Sequence, residues 1–199
     1  IKLGTQQLQR AWNDEKPDFD ARLERHCEVV IQQIDVLTEI AHDFSSFAAI
    51  GLDELEPVDI CEVLNESASL YRAANSSIEW EMNGFDGKHE IQATRSHLLR
   101  VFNNLISNAV DAVGQEQHPR IVLTVVDSAS TLKITVTDNG HGIPKDQLER
   151  IFEPRFTTKG SGTGLGLTIT QSIVDQLHGR IAVELNPTGG AHFCVLFDR

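Results

Sequence analysis

From Leu23 the apolar residues Cys27, Val30, Ile34, Leu37, Ala41, Phe44 and Ala48 recur in steps of three and four. Such a seam, held over about four heptads, predicts a long helix made to pack against other helices. A shorter pattern of Ile1, Leu8 and Trp12 precedes it, and the NDEKPD stretch at 13–18 predicts a turn in which Pro17 stops the first helix. Residues 1–50 therefore read as a helical hairpin. One hairpin cannot enclose so narrow a seam. Two hairpins forming a four-helix bundle across a homodimer complete it, and the other reading rests the stripe on the remainder of the same chain.

The helical pattern breaks at Gly51 to Pro57 (GLDELEP), which places a linker at 51–56 and a second domain over 57–199. The texture then changes. A helix is predicted at 59–74, followed by the alternating strand SSIEWEM, a turn from Asn83 to Gly87 and a short strand from His89 to Ala93. Ser96 to Val113 again reads as a helix, with Leu99, Phe102, Leu105, Ile106, Ala109 and Val113 on one face. Two strands follow, RIVLTVV and TLKITVT, separated by a DSAS turn; Leu165 to Leu177 is helical, and RIAVEL and AHFCVLF close the chain as a hairpin around Asn186 to Gly190. This grouping predicts an α+β fold, a two-layer α/β sandwich with a mixed sheet and helices on one face, preceded by the hairpin.

At 199 residues, the chain is long enough for one large or two small domains. Its net charge of −12 argues against nucleic acid as a partner, so an anionic ligand has to be met by local features. The three cysteines, Cys27, Cys61 and Cys194, lie far apart and suggest neither a zinc site nor a disulfide framework. That fits a reducing, cytoplasmic compartment. No apolar run is long enough to span a membrane, and no signal peptide is visible. Ile1 in place of an initiating methionine suggests a fragment of a longer protein.

Four segments carry candidate chemistry. In NNLISNAVDA, Asn104, Asn108 and Asp111 stand three or four apart and share one helical face, where they either meet solvent or offer oxygens to a hard cation such as Mg²⁺ together with phosphates. In TDNGHGIP, which is otherwise a common turn sequence, Asp138 can accept a hydrogen bond from an exocyclic amine, and Gly140 and Gly142 let a flat ring pass close to the backbone. FEPRFTTK supplies local positive charge through Arg155 and Lys159. GSGTGLGL opens a helix, where backbone amides favour an anion. Its glycines recur every second residue and Lys159 precedes them all, so neither a Walker A loop nor a dinucleotide fingerprint fits. Taken alone, the run reads equally well as a flexible loop.

In order and spacing these four segments resemble the N, G1, F and G2 boxes of sensor histidine kinases. The resemblance covers 57–199 as the ATP-binding catalytic domain, of the GHKL or Bergerat type, and 1–50 as a dimerisation and phosphotransfer hairpin. DFSSFA and EPVDI are similar to the nitrogen-regulation, NtrY-like branch. The resemblance implies that Asn108 ligates Mg²⁺, that Asn104 lies by the phosphates, and that Asp138 binds the adenine amino group in a pocket shaped by Gly140, Gly142 and Ile143. It makes 143–163 a mobile lid anchored by Phe152 and Phe156, with Lys159 and Arg155 reaching the triphosphate and Thr158 and Thr163 beside it. Gly162, Gly164, Leu165, Gly166 and Leu167 then wrap the phosphates. The implied reaction passes the γ-phosphate of ATP to a histidine and on to an aspartate of a response-regulator receiver domain. The parent protein is implied to be anchored in the inner membrane, with no membrane contact by this portion.

Three positions depart from the pattern. Asp111 stands where many relatives carry lysine or another polar residue, and it can hydrogen-bond a metal-bound water. Arg155 replaces an aromatic residue, and His192, near the end of the chain, reads as structural. Moreover, none of the eight histidines has the HExxxP context of the family's phosphoacceptor. The acceptor is expected before Ile1, which leaves no catalytic histidine here and a chain that binds ATP without phosphorylating itself. Two rivals use the same fold. Hydrolases such as Hsp90, MutL and the type II topoisomerases carry a water-activating glutamate at the position of Asn104, and a degenerate kinase would serve as a dimeric nucleotide-binding interaction module.

Overall fold

The computed structural model describes residues 12, 19–20, 23–31, 34, 54–158, 163–185 and 189–198. The chain forms two compact units, Ile1–Ala48 with Thr157–Thr163, and Ala49–Phe156 with Gly164–Arg199. In the first, residues 23–31 are helical, as the seam predicts, and the rings of Trp12 and Phe19 approach to 5.1 Å. Leu23, Cys27 and Ile34 of the seam are exposed within the single chain. The rest of the expected hairpin, including Leu37, Ala41, Phe44 and Ala48, lies outside the described residues.

The second unit begins with β1 (Glu56–Asp59) and α1 (Ile60–Ala74). Asp59 ends the strand and caps the helix, its carboxylate accepting from Cys61 N at 2.9 Å. β2 (Glu79–Asn83) and β3 (Glu90–Ala93) lead into α2 (Arg95–Val113). Next come β4 (Arg120–Asp127), β5 (Thr131–Asp138), a short 3₁₀ turn at Lys145–Gln147, α3 (Gly166–Gln176), β6 (Gly179–Leu185) and β7 (Ala191–Asp198). The buried stripe of α2 opens at Leu98 rather than Leu99, and continues through Val101, Phe102, Leu105, Ile106, Ala109 and Val113.

Five strands form one sheet in the order β2-β4-β5-β7-β6; β2 runs parallel to β4 and every other pair is antiparallel. The sheet is mixed, as the sequence predicts. Register aligns Val125, Ile134, Val195 and Ile181 in one row and Leu123, Val136, Phe193 and Val183 in the next. These rows join the side chains of α1, α2 and α3 in one core, which gives the two-layer sandwich. On the opposite sheet face Thr137 Oγ1 and His192 Nδ1 share a hydrogen bond of 2.7 Å, a cross-strand contact of the structural kind expected for His192. β1 pairs antiparallel with β3, Val58 opposite Ile91. That strand was not among those expected; it begins at Glu56, the last residue of the stretch read as linker. Four residues containing a proline show no alternation, and their pairing partner lies far along the chain.

Because β5 is the central strand, truncating its inward face should be costly. Ile134 is fully buried, and Ile134→Ala is expected to lose about 2–5 kcal/mol of unfolding free energy in denaturant titration. Val126, 52% exposed on β4, should tolerate alanine within about 0.5 kcal/mol.

Candidate functional site

Strand alternation decides where Asp138 goes. Leu132, Ile134 and Val136 point into the core, and the next position of the same parity is Asp138, opposite Ile121 and only 3% exposed. Its Oδ1 accepts from Gly140 N at 2.9 Å and from Ala191 N at 3.2 Å. Burial raises its pKa above the usual carboxylate value, and the two backbone donors and nearby His141 offset part of that rise. Gly190, at φ +84°, makes the close approach possible: a methyl group there would lie 2.1 Å from the Asp138 carbonyl oxygen.

The glycines after Asp138 also meet the protein itself. A methyl group on Gly140 would lie 2.3 Å from the carbonyl oxygen of Ala112, so this glycine lets the loop seat directly on α2. His141 N completes the contact by donating to that oxygen at 3.3 Å. Gly142 adopts φ +69°. Asn139 locks the other side of the turn, its Oδ1 accepting from Arg120 N and its Nδ2 donating to His118 O, each at 2.8 Å. Sequence reasoning passed over Asn139, Gly190 and Ala191. The first was visible only as part of a turn and the others as the end of a hairpin.

At the other end of the α2 face, Asn104 Nδ2 donates to Thr170 Oγ1 at 2.9 Å, and a methyl on Gly166 would come within 2.4 Å of Asn104 Oδ1. Asn104 and Ala112 are eight residues apart on α2, about 12 Å along its axis. Asn108 stands midway, and Asp111 is exposed. The face thus runs from a buried carboxylate loop to the start of α3. There Leu165 provides no side-chain cap, and first-turn amides are suited to an anion. Among the described residues no group of three His, Cys, Asp or Glu side chains could hold a metal ion. A hard cation would fit only with oxygens brought by a ligand's phosphates, alongside Asn108.

The expected lid segment, 143–163, follows the Asp138 loop in sequence. Ile143, Phe152, Phe156, Leu165 and Leu167 are half-buried against the core, and Phe152 O accepts from Thr168 Oγ1 at 3.0 Å. The Arg150 guanidinium sits 4.8 Å above the Phe156 ring. Arg155 is exposed and adopts φ +66°, its N–H donating to Gly164 O at 2.9 Å; Gly164, at φ +67°, could carry no side chain there, since a methyl would lie 2.5 Å from the Arg155 carbonyl carbon. Thr158 is exposed and Thr163 half-buried, both counted with the first unit. Lys159 and Gly162 lie outside the described residues.

Comparison with known proteins identifies the family. Residues 93–199 match the family described as histidine kinase-, DNA gyrase B-, and HSP90-like ATPase. The chain is 38% identical over 168 residues to the sensor histidine kinase ZraS of Escherichia coli K12, covering 83% of this chain and 36% of ZraS. It is 24% identical over 198 residues to a putative sensor histidine kinase, NtrY-like, of Rickettsia bellii, covering all of this chain and 32% of that protein. The nitrogen-regulation branch is therefore one of several to which the chain is similar. The solved catalytic domain of the histidine kinase ThkA superposes with a TM-score of 0.67 at 28% identity, covering 73% of this chain and 96% of that domain. With the match spanning more than half its length, the chain belongs to the histidine kinase-, DNA gyrase B- and HSP90-like ATPase family, and carries an ATP-binding catalytic domain of the sensor histidine kinase type.

Proposed function

We propose that this chain is the kinase core of a two-component sensor, binding Mg-ATP and passing its γ-phosphate to a histidine for relay to a response-regulator aspartate. The observation that carries the reading is the buried Asp138 carboxylate, placed at one end of an α2 face whose other end meets the first turn of α3. In this reading Asp138 accepts a hydrogen bond from the adenine amino group while the Gly140 contact holds the loop on α2. The triphosphate runs along Asn108 towards Asn104 and the amides of α3, with Lys159 and Arg155 adding positive charge. Mg²⁺, held by Asn108 and the phosphates, would neutralise charge on the oxygens around the transferring group. Catalysis then rests on positioning, and the acceptor is a histidine that this chain does not contribute.

Hydrolysis is disfavoured by the residue at position 104. An amide cannot take a proton from water as a glutamate can, and the Asn104 side chain is already engaged by Thr170. We further assign the exposed seam of the first unit to homodimerisation and the relay step to a receiver domain. No helix among the described residues is long and apolar enough to cross a membrane.

Calorimetric titration with ATP and Mg²⁺ tests the reading directly. The unaltered chain should bind saturably, Asp138→Ala should abolish binding, and Asn108→Ala should leave affinity insensitive to Mg²⁺. Labelled phosphate from ATP should appear on a supplied phosphoacceptor hairpin. Binding without such transfer would favour a nucleotide-binding interaction module, and steady phosphate release without a hairpin would favour an ATPase.

The raised pKa of Asp138 makes a separate prediction. Because the native carboxyl is the weaker acid, its ionised form costs stability above the folded pKa, and that cost disappears below the unfolded value. Asp138→Asn, which keeps an acceptor for Gly140 and Ala191, should melt at or above the unaltered temperature at pH 7–8, and the difference should shrink as the pH falls into the carboxylate range. The same variant should lose ATP affinity by about tenfold or more, since its amide presents a donor where an acceptor is needed. A variant clearly less stable than the parent at pH 8 would contradict the assignment.

A further inference from the structure

Two polar side chains interrupt the apolar faces of α2 and α3, and they meet. Along α3, Gly166, Ile169, Thr170, Ile173 and Val174 follow the helical repeat, and the four beyond the glycine are buried, Thr170 being only 1% exposed. Along α2, Asn104 falls between the buried Val101 and Leu105. Asn104 Nδ2 donates to Thr170 Oγ1 at 2.9 Å, while one turn earlier on α3 the absent side chain of Gly166 leaves room for Asn104 Oδ1. The amide is thus bonded to one turn of the helix face and seated against the bare backbone of the turn before it. A half-buried amide left without this hydroxyl, its partner oxygen only 1% exposed with the rest of Thr170, would lose a well-shielded hydrogen bond.

We propose that Thr170 is a positioning residue: acting through Asn104, it fixes the first turn of α3 against α2 and so sets the phosphate end of the site independently of the adenine end. The inference rests on the ATP reading above and adds to it a residue outside the glycine run. The separation of the two ends follows from the geometry. The Asp138 loop docks at Ala112, about 12 Å along α2 from Asn104. Loosening Thr170 should therefore weaken whatever the phosphates gain and leave the adenosine contacts as they are.

The test uses the full chain and displacement of a fluorescent ATP analogue by ATP and by adenosine, with melting temperature recorded for each variant. Thr170→Val, close in shape but without the hydroxyl, is expected to weaken ATP about tenfold while the adenosine constant stays within about twofold. Thr170→Ser should restore ATP affinity to within about twofold of the parent. If Thr170→Val does not fold, Thr170→Ala, which removes the hydroxyl without adding volume, carries the same expectation. An ATP affinity unchanged by loss of the hydroxyl overturns the proposal, as does an equal loss for ATP and adenosine, which would mark general loosening. If the parent displaces the analogue with neither ligand, the ATP reading fails and takes this role with it; binding by the parent with no selective loss in the variants refutes the Thr170 role alone.

Discussion

The pleat of β5 carries a carboxylate onto the buried side of the sheet, and much of the second unit is arranged to tolerate it. Three apolar residues set the parity of the strand, and Asp138 follows on the same face beside Ile121 and Ala191. An ionised group in that place is costly unless donors reach it. The Gly140 and Ala191 amides do so, and they can because Gly190 has no side chain and Asn139 holds the turn against the start of β4. The fold thus gives up some stability to keep a hydrogen-bond acceptor in a dry position. That is the kind of local conflict between stability and chemistry expected at functional sites.

Much of this was legible in the chain itself. Strong period-2 runs in β4, β5 and β7 and the stripe of α2 announced the mixed sheet and its helical layer, because long periodic segments bury one face whatever surrounds them. β1 was not legible, since Glu56 to Asp59 are held by pairing with a strand reached only after a helix and a strand of the other sheet. At the site, residue types single out the segments, while the contacts within the protein that hold those segments could not be read from them. Gly140 reads as room for a ligand, whereas its immediate neighbour is the carbonyl of Ala112. Thr170 gave no sign at all. A threonine among apolar neighbours looks like core, and only the tertiary contact with Asn104 distinguishes it.

The charge of the chain poses a problem that backbone geometry answers. With a net charge of −12, the protein offers a polyanion little general attraction. The start of α3 supplies partial positive charge without a cationic side chain, and the left-handed turn at Gly164 leads directly into it. An acidic surface and a helix end suited to an anion are compatible because the second acts only at close range. Affinity so built depends on placement more than on long-range steering.

The hydrogen bond from Arg155 to Gly164 closes the neck of the segment between them. Two left-handed residues meet there, so the chain leaves and re-enters the domain at nearly one point. A loop closed at its base can change in length at slowly growing entropic cost, without disturbing the strands and helices beneath. The start of α3 therefore keeps its place whatever length of chain lies between.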